Sequence, residues 1–150
     1  MLETRGNKLT WFGHATFRIT TPSGKVIVLD PWVQTNPMCP RPPKKFSRID
    51  TLLITPGHFD HLTDAVTLAK KHKPQVVGIF ETCAWLESKG VRNTHAMNKG
   101  GTQRVGQREA ILVHAIHSCG IQGGKKNRLR RRSVRVHSSP SGRIYGLSCR

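Results

Sequence analysis

Apolar and polar positions divide the chain into short runs with two different periods. Lys8-Leu9-Thr10-Trp11-Phe12 reads as a first strand, and Gly13-His14 interrupts it. Ala15 to Thr20 alternates apolar and polar side chains, as a half-buried antiparallel strand does. After the turn signal Thr21-Pro22-Ser23-Gly24, the β-branched run Lys25 to Leu29 predicts a buried third strand. These three form a meander. Ile49 to Thr55 is a fourth strand, Gln75 to Phe80 a fifth and Glu109 to His117 a sixth.

Helical spacing occupies the gaps between them. Leu62 to Lys71 places apolar residues on one face, with Asp64 early and Lys70 and Lys71 late, in the sense that suits the helix dipole. Glu81 to Lys89 predicts a second helix, with Gly90 at its C-terminal cap. The segment from Gln34 to Lys45 holds four prolines and reads as a surface loop, and Thr94 to Thr102 as a Gly-bearing loop. Strands in a meander, then strands alternating with helices, predict a mixed α/β layer architecture. Beyond Cys119 the pattern fails. Gly123 onward is expected to be disordered, giving a domain at 1–122 and a basic tail at 123–150.

Charge sharpens that boundary. The 150 residues carry a formal net charge of +17, yet no acidic residue follows Glu109. The tail from Lys125 to Arg150 holds nine Lys and Arg and no acid. Such a run predicts weak, non-specific nucleic-acid binding through phosphate contacts, without the interleaved aromatics of an evolved single-strand binder. Cys39, Cys83, Cys119 and Cys149 are far apart, which argues against a cysteine-based zinc site. The polar opening Met1 to Arg5 and the lack of a long apolar run predict a cytoplasmic protein that does not enter a membrane.

The chemistry centres on Thr55-Pro56-Gly57-His58-Phe59-Asp60-His61, between the fourth strand and the first helix. Two imidazoles and a carboxylate at this spacing can converge on one ion or on two adjacent ions. The same residues can also form an ordinary polar loop in which Asp60 caps the helix. His72, set among lysines, reads as a solvated surface residue, and His114 as structural or exposed.

Several motifs in order decide between these readings. Trp11-Phe12-Gly13-His14-Ala15-Thr16-Phe17, Leu29-Asp30-Pro31-Trp32, His58-Phe59-Asp60-His61, Asn93 to Thr102 and Ala115-Ile116-His117-Ser118 resemble the metallo-β-lactamase superfamily. The likeness runs over roughly residues 8–122. It is strongest to small metal-dependent hydrolases related to ascorbate-6-phosphate lactonase. The resemblance implies an α/β fold of the αββα type, of which this chain would hold the N-terminal half to two-thirds. It implies up to two divalent ions, zinc or manganese, and a small-molecule substrate. By position, His58 and His117 match ligands of one ion, and Asp60 and His61 match ligands of the other, with Asp60 the catalytic aspartate. Asp30 matches a bracing acid, His14 a histidine near the site, and His95 and Asn98 fall where they would line the cleft or simply form a turn.

Two departures stand out. The family's first motif histidine is Pro56 here, and its later Gly-Asp-Thr motif is missing. Each half-site is therefore short of the three protein ligands usual for catalytic zinc. Leu129 to His137 is what a family-like Tyr-Gly-Gly-Glu-Ala-Cys-Gly-Tyr-Ile stretch encodes when read one base out of frame. The sequence thus predicts a truncated, frameshifted chain, with a bare sheet edge near His117 and a tendency to self-associate. Three function classes remain open: a hydrolase with an impaired site, an inactive remnant, and a basic nucleic-acid-binding protein.

Overall fold

The computed structural model describes residues 4–39, 46–118, 120–121, 136–138 and 143–148. The expected meander is present: β1 (Lys8–Trp11), β2 (Phe17–Thr20) and β3 (Val26–Leu29) pair antiparallel in chain order. From β3 the pairing turns parallel through β4 (Thr51–Ile54), β5 (Gln75–Ile79) and β6 (Thr94–Met97). Each parallel step carries a crossover, as parallel pairing requires. The β4–β5 crossover holds α1 (Phe59–Leu62) and α2 (Ala65–His72), and the β5–β6 crossover holds α3 (Phe80–Ser88).

Strand alternation builds two cores from one sheet. Val28, Leu52, Ile54 and Val76 face the helices and pack with Leu62, Ala65, Ala69 and Leu86. Their chain neighbours Ile27, Leu53, Val77 and Ile79 face the other way and pack with Met97, Val105, Ala110 and Leu112. A strand buried on both faces has no polar alternation, so these segments read as continuous apolar runs. The second face is covered by a second sheet, in the order β7 (Thr102–Val105), β8 (Arg108–His114), β10 (Arg143–Ser148), β9 (Val136–Ser138).

Several elements differ from the sequence expectation, α1 among them, since it takes up Asp60 and His61 of the expected loop. Thr94–Met97 is an edge strand rather than a loop: it has no apolar run because only Met97 of its four residues is buried. Thr102–Val105 joins β8 through a tight hairpin at Gly106, whose φ of 61° is left-handed. β8 ends at His114, so His117 lies in the loop that follows. Within the segment expected to be disordered, Val136–Ser138 and Arg143–Ser148 are strands, and β10 pairs parallel with β8 over Glu109 to His114. The edge expected to be bare is thereby paired, which removes the reason given for self-association. An open strand edge is a strong template, and Arg143–Ser148 is free of proline. The basic run 122–135 lies outside the described residues. No helix among the described residues is long and apolar enough to cross a membrane.

Candidate metal centre

Because β3, β4, β5 and β6 are parallel, their carboxyl ends lie at one edge of the sheet. Loops leaving such an edge are a usual place for ligands. Asp30 follows β3 directly, and Thr55 to His58 follow β4. Asn98 follows β6 at the same edge, while His95 lies within β6 and contacts Asn93 Oδ1 at 3.1 Å. Neither shows a contact with the histidine cluster among the described residues.

Asp30 is the fixed point. It is 2% exposed and left-handed, with φ 45°. The Thr55 backbone N–H donates to Oδ1 at 2.7 Å, and Thr55 Oγ1 donates to Oδ2 at 2.5 Å. His61 Nδ1 meets Oδ2 at 2.9 Å. A carboxylate facing Nδ1 favours the tautomer with its proton there, which turns Nε2 outward as the ligating nitrogen. His61 is thus set as an Nε2 donor before anything binds. Thr16, fully buried, donates from Oγ1 to the Asp30 carbonyl at 2.6 Å and accepts the Trp32 N–H at 3.1 Å. Asp64 similarly braces the loop beyond Asp30, accepting the N–H groups of Val33 and Gln34 at 2.6 and 3.0 Å. In the sequence Thr16 and Thr55 stand only as members of motifs and Asp64 only as an acid early in a helix, with no bracing role for any of them. The Thr55–Asp30 pairing alone leaves a signal there, a hydroxyl residue at the exit of one strand facing an acid at the exit of the next.

The predicted ligands, with His14 beside them, fall into two groups. His14, Asp60 and His61 offer donor atoms that all lie within 4.8 Å of one another. His14 Nε2 is 3.3 Å from Asp60 Oδ2, and His61 Nε2 is 3.9 Å from Asp60 Oδ1. The second group is His58 with His117, whose rings are 5.2 Å apart, and Ser118 Oγ lies 3.4 Å from His58 Nε2. The His58 and His61 rings are 6.3 Å apart, so the two groups adjoin. Burial holds the His58 pKa below its ordinary value; His117 and His61 push the same way, and Asp60 opposes them. A neutral imidazole is the ligating form.

Pro56 is fully buried where the loop leaves β4 and supplies no donor. Gly57 beside it is packed so closely that a Cβ would sit 2.4 Å from Ile121 Cγ1. Outside the polar cluster, Trp32 stands edge-on to both His14 and Phe59, at 5.7 and 5.9 Å between centroids. Phe59 is 60% exposed, so this wall is an apolar lip at the mouth of the site.

The family model described as a Beta-lactamase superfamily domain matches residues 8–133. A UPF0173 metal-dependent hydrolase of Koribacter versatilis is 56% identical over 123 residues, which is 82% of this chain and 53% of that protein. A homologue with the same description from Solibacter usitatus is 55% identical over 114 residues, 76% of this chain and 49% of its own length. The chain therefore spans about half the length of the curated relatives it matches. Among solved structures, Igni18, a metallo hydrolase from Ignicoccus hospitalis, aligns with a TM-score of 0.68 at 27% identity, covering 85% of this chain and 55% of that one. CmlA, a diiron β-hydroxylase from Streptomyces venezuelae, aligns at 18% identity and a TM-score of 0.62, covering 90% of this chain and 31% of its own, and shares the fold.

Proposed function

This chain belongs to the metallo-β-lactamase superfamily, and we propose that it is a metal-dependent hydrolase acting on a small molecule with an ester, lactone or phosphoester bond. The observation that carries the reading is the convergence of Asp60 and His61 at the carboxyl edge of the parallel strands, with Asp30 behind His61. The donor set fits a divalent ion. Imidazole and carboxylate suit zinc and also manganese, and the Asp30–His61 contact is the outer support that metal-ligating histidines usually have. Asp60 and His61 would hold one ion, and His58 with His117 would contribute to an adjoining position. When bound, the ion supplies Lewis acidity and a water acidified enough to attack at neutral pH.

The chain's own residues do the rest. Asp30 fixes the tautomer of His61, and Thr55 and Thr16 fix Asp30. Trp32 and Phe59 present an apolar wall that shields one side of the cluster from water. Pro56 favours a second reading, a chain that keeps the fold and part of the site but hydrolyses slowly or not at all. A nucleic-acid-binding role rests on the Arg-rich run 128–135, which lies outside the described residues. The test is elemental analysis of the purified, tag-free protein, followed by hydrolysis assays on lactone, ester and phosphodiester panels beside Asp60→Asn. Bound zinc or manganese with Asp60-dependent turnover supports the hydrolase. Bound metal without turnover supports the second reading. A chain that takes up no metal when supplied with it overturns the first.

A further inference from the structure

We propose that His14 is a direct metal ligand in this chain, completing with Asp60 and His61 the three-donor site that Pro56 leaves wanting next door. The inference rests on the metal-site reading above and deepens it.

His14 sits far from the motif in sequence, on the loop after β1. Its place is nonetheless built. Gly13 has φ 89° and lies so close to the backbone of Met38 that a Cβ would be 2.7 Å from that carbonyl carbon. His14 itself is left-handed, with φ 50°. A non-glycine residue in this region is held by its surroundings, and such residues cluster at functional sites. The holding contacts are visible. The Phe12 N–H donates to the Thr16 carbonyl at 2.9 Å, and the Thr16 N–H donates to the Gly13 carbonyl at 3.1 Å. Trp11 Nε1 donates to the His14 carbonyl at 2.9 Å. Thr16 also ties this turn to Asp30, the brace of His61. One buried hydroxyl therefore ties the His14 turn to the loop whose Asp30 braces His61.

The turn aims the His14 ring at the cluster. Its centroid is 4.9 Å from that of His61, edge to face, and Nε2 is 3.3 Å from Asp60 Oδ2. Donors around a tetrahedral zinc at about 2.1 Å stand about 3.4 Å apart, so the His14–Asp60 pair already has that spacing. A plain ion pair would also give 3.3 Å. It would not account for His61 Nε2, which the Asp30 contact turns outward, within 4.8 Å of the other two donors. Three convergent donors with an outward side left open describe a catalytic rather than a closed structural site. His14 is 38% exposed on its side chain, so the open side faces solvent.

The experiment is titration of the full-length, metal-free chain with Co²⁺, read by its d–d absorption and by competition with a chelator. The variant is His14→Asn, because asparagine tolerates the left-handed backbone and keeps the turn. Asp60→Asn and His95→Asn are run alongside. Ligation predicts that His14→Asn weakens Co²⁺ binding by more than the roughly 10–100-fold lost with an outer-shell partner, and changes the absorption band. Asp60→Asn behaves alike, and His95→Asn binds as the parent does. A His14→Asn protein with parental affinity and spectrum, while Asp60→Asn loses both, overturns the inference and leaves the metal site standing. If neither variant changes binding, both fall. Should His14→Asn not fold, modification by diethyl pyrocarbonate decides on the parent. Ligation predicts that metal protects His14 in peptide mass spectra and leaves His95 reactive. Equal labelling of His14 with and without metal overturns the inference.

Discussion

Asp30→Asn separates the shape of the site from its proton arrangement. Asparagine has nearly the volume of aspartate, so the buried cavity is preserved. Its oxygen can take the Thr55 N–H that Oδ1 now accepts. Its NH2 group then lies where Oδ2 meets Thr55 Oγ1 and His61 Nδ1. The Thr55 hydroxyl can turn from donor to acceptor, and the second amide proton can go to Nδ1. His61 must then carry its own proton on Nε2. The fold keeps its contacts but exchanges charge-assisted hydrogen bonds for neutral ones about half as strong, at about 1–2 kcal/mol, or a fall in Tm of about 2–8 °C. Metal binding suffers more. To ligate through Nε2, His61 must move its proton back to Nδ1, opposing two buried donors at about 1–3 kcal/mol. That lowers affinity roughly 5- to 150-fold. The assay is chelator competition with Zn²⁺ at fixed pH, beside thermal melting of the metal-free protein. An Asp30→Asn protein that folds and binds Zn²⁺ with parental affinity would refute the tautomer reasoning.

Pro56→His should add a donor beside His58 and raise Zn²⁺ uptake by elemental analysis, at about 1–3 kcal/mol of stability because the position is fully buried. Burial raises the Asp50 carboxyl, but the Val26 N–H and the Arg48 and Lys25 side chains outweigh it and hold its pKa below the ordinary value. The stability Asp50 contributes is therefore present above the unfolded pKa of about 4 and lost as pH falls through the folded one. Asp50→Asn should melt lower than the parent at pH 7, and the gap should narrow in acid. Burial, with Glu87 nearby, pushes the Cys83 thiol up to about 12 against the weaker opposing hydrogen bond to Gly78. Native protein at pH 8 should leave Cys83 unalkylated by iodoacetamide in peptide mass spectra, and denatured protein should label fully. The out-of-frame reading of Leu129–His137 predicts that genomic sequencing finds an intact Gly-Asp-Thr codon series downstream in another frame; the same frame continuing without one counts against it.

What the sequence made legible follows burial. The runs Val26–Leu29, Thr51–Ile54 and Gln75–Ile79 lie between two packed layers, and both faces demand apolar side chains. The helices declared themselves through their one buried stripe. Thr94–Met97 and Thr102–Val105 gave little signal because each is short and contributes a single buried residue, Met97 and Val105. At the site, residues close in sequence were readable as a loop motif. The grouping of His14 with Asp60 and His61 was not, since it depends on a left-handed turn and on Thr16 tying two loops across the sheet. The order of motifs placed His14 near the site, and only the backbone geometry gives it a direction.

The first sheet has the strand order β1-β2-β3-β4-β5-β6, each strand lying beside its predecessor in the chain. Nothing synthesised later is needed to seat a strand within that sheet. Low separation between paired strands favours rapid closure, and a chain emerging from the ribosome amino end first can lay the sheet down in one direction. His14 and Asp30 lie on loops, and Asp60 and His61 in α1, all of them between β1 and β5. The strand order therefore lets the proposed site form from the amino-terminal part of the chain alone, with no residue of the second sheet supplying a member of it.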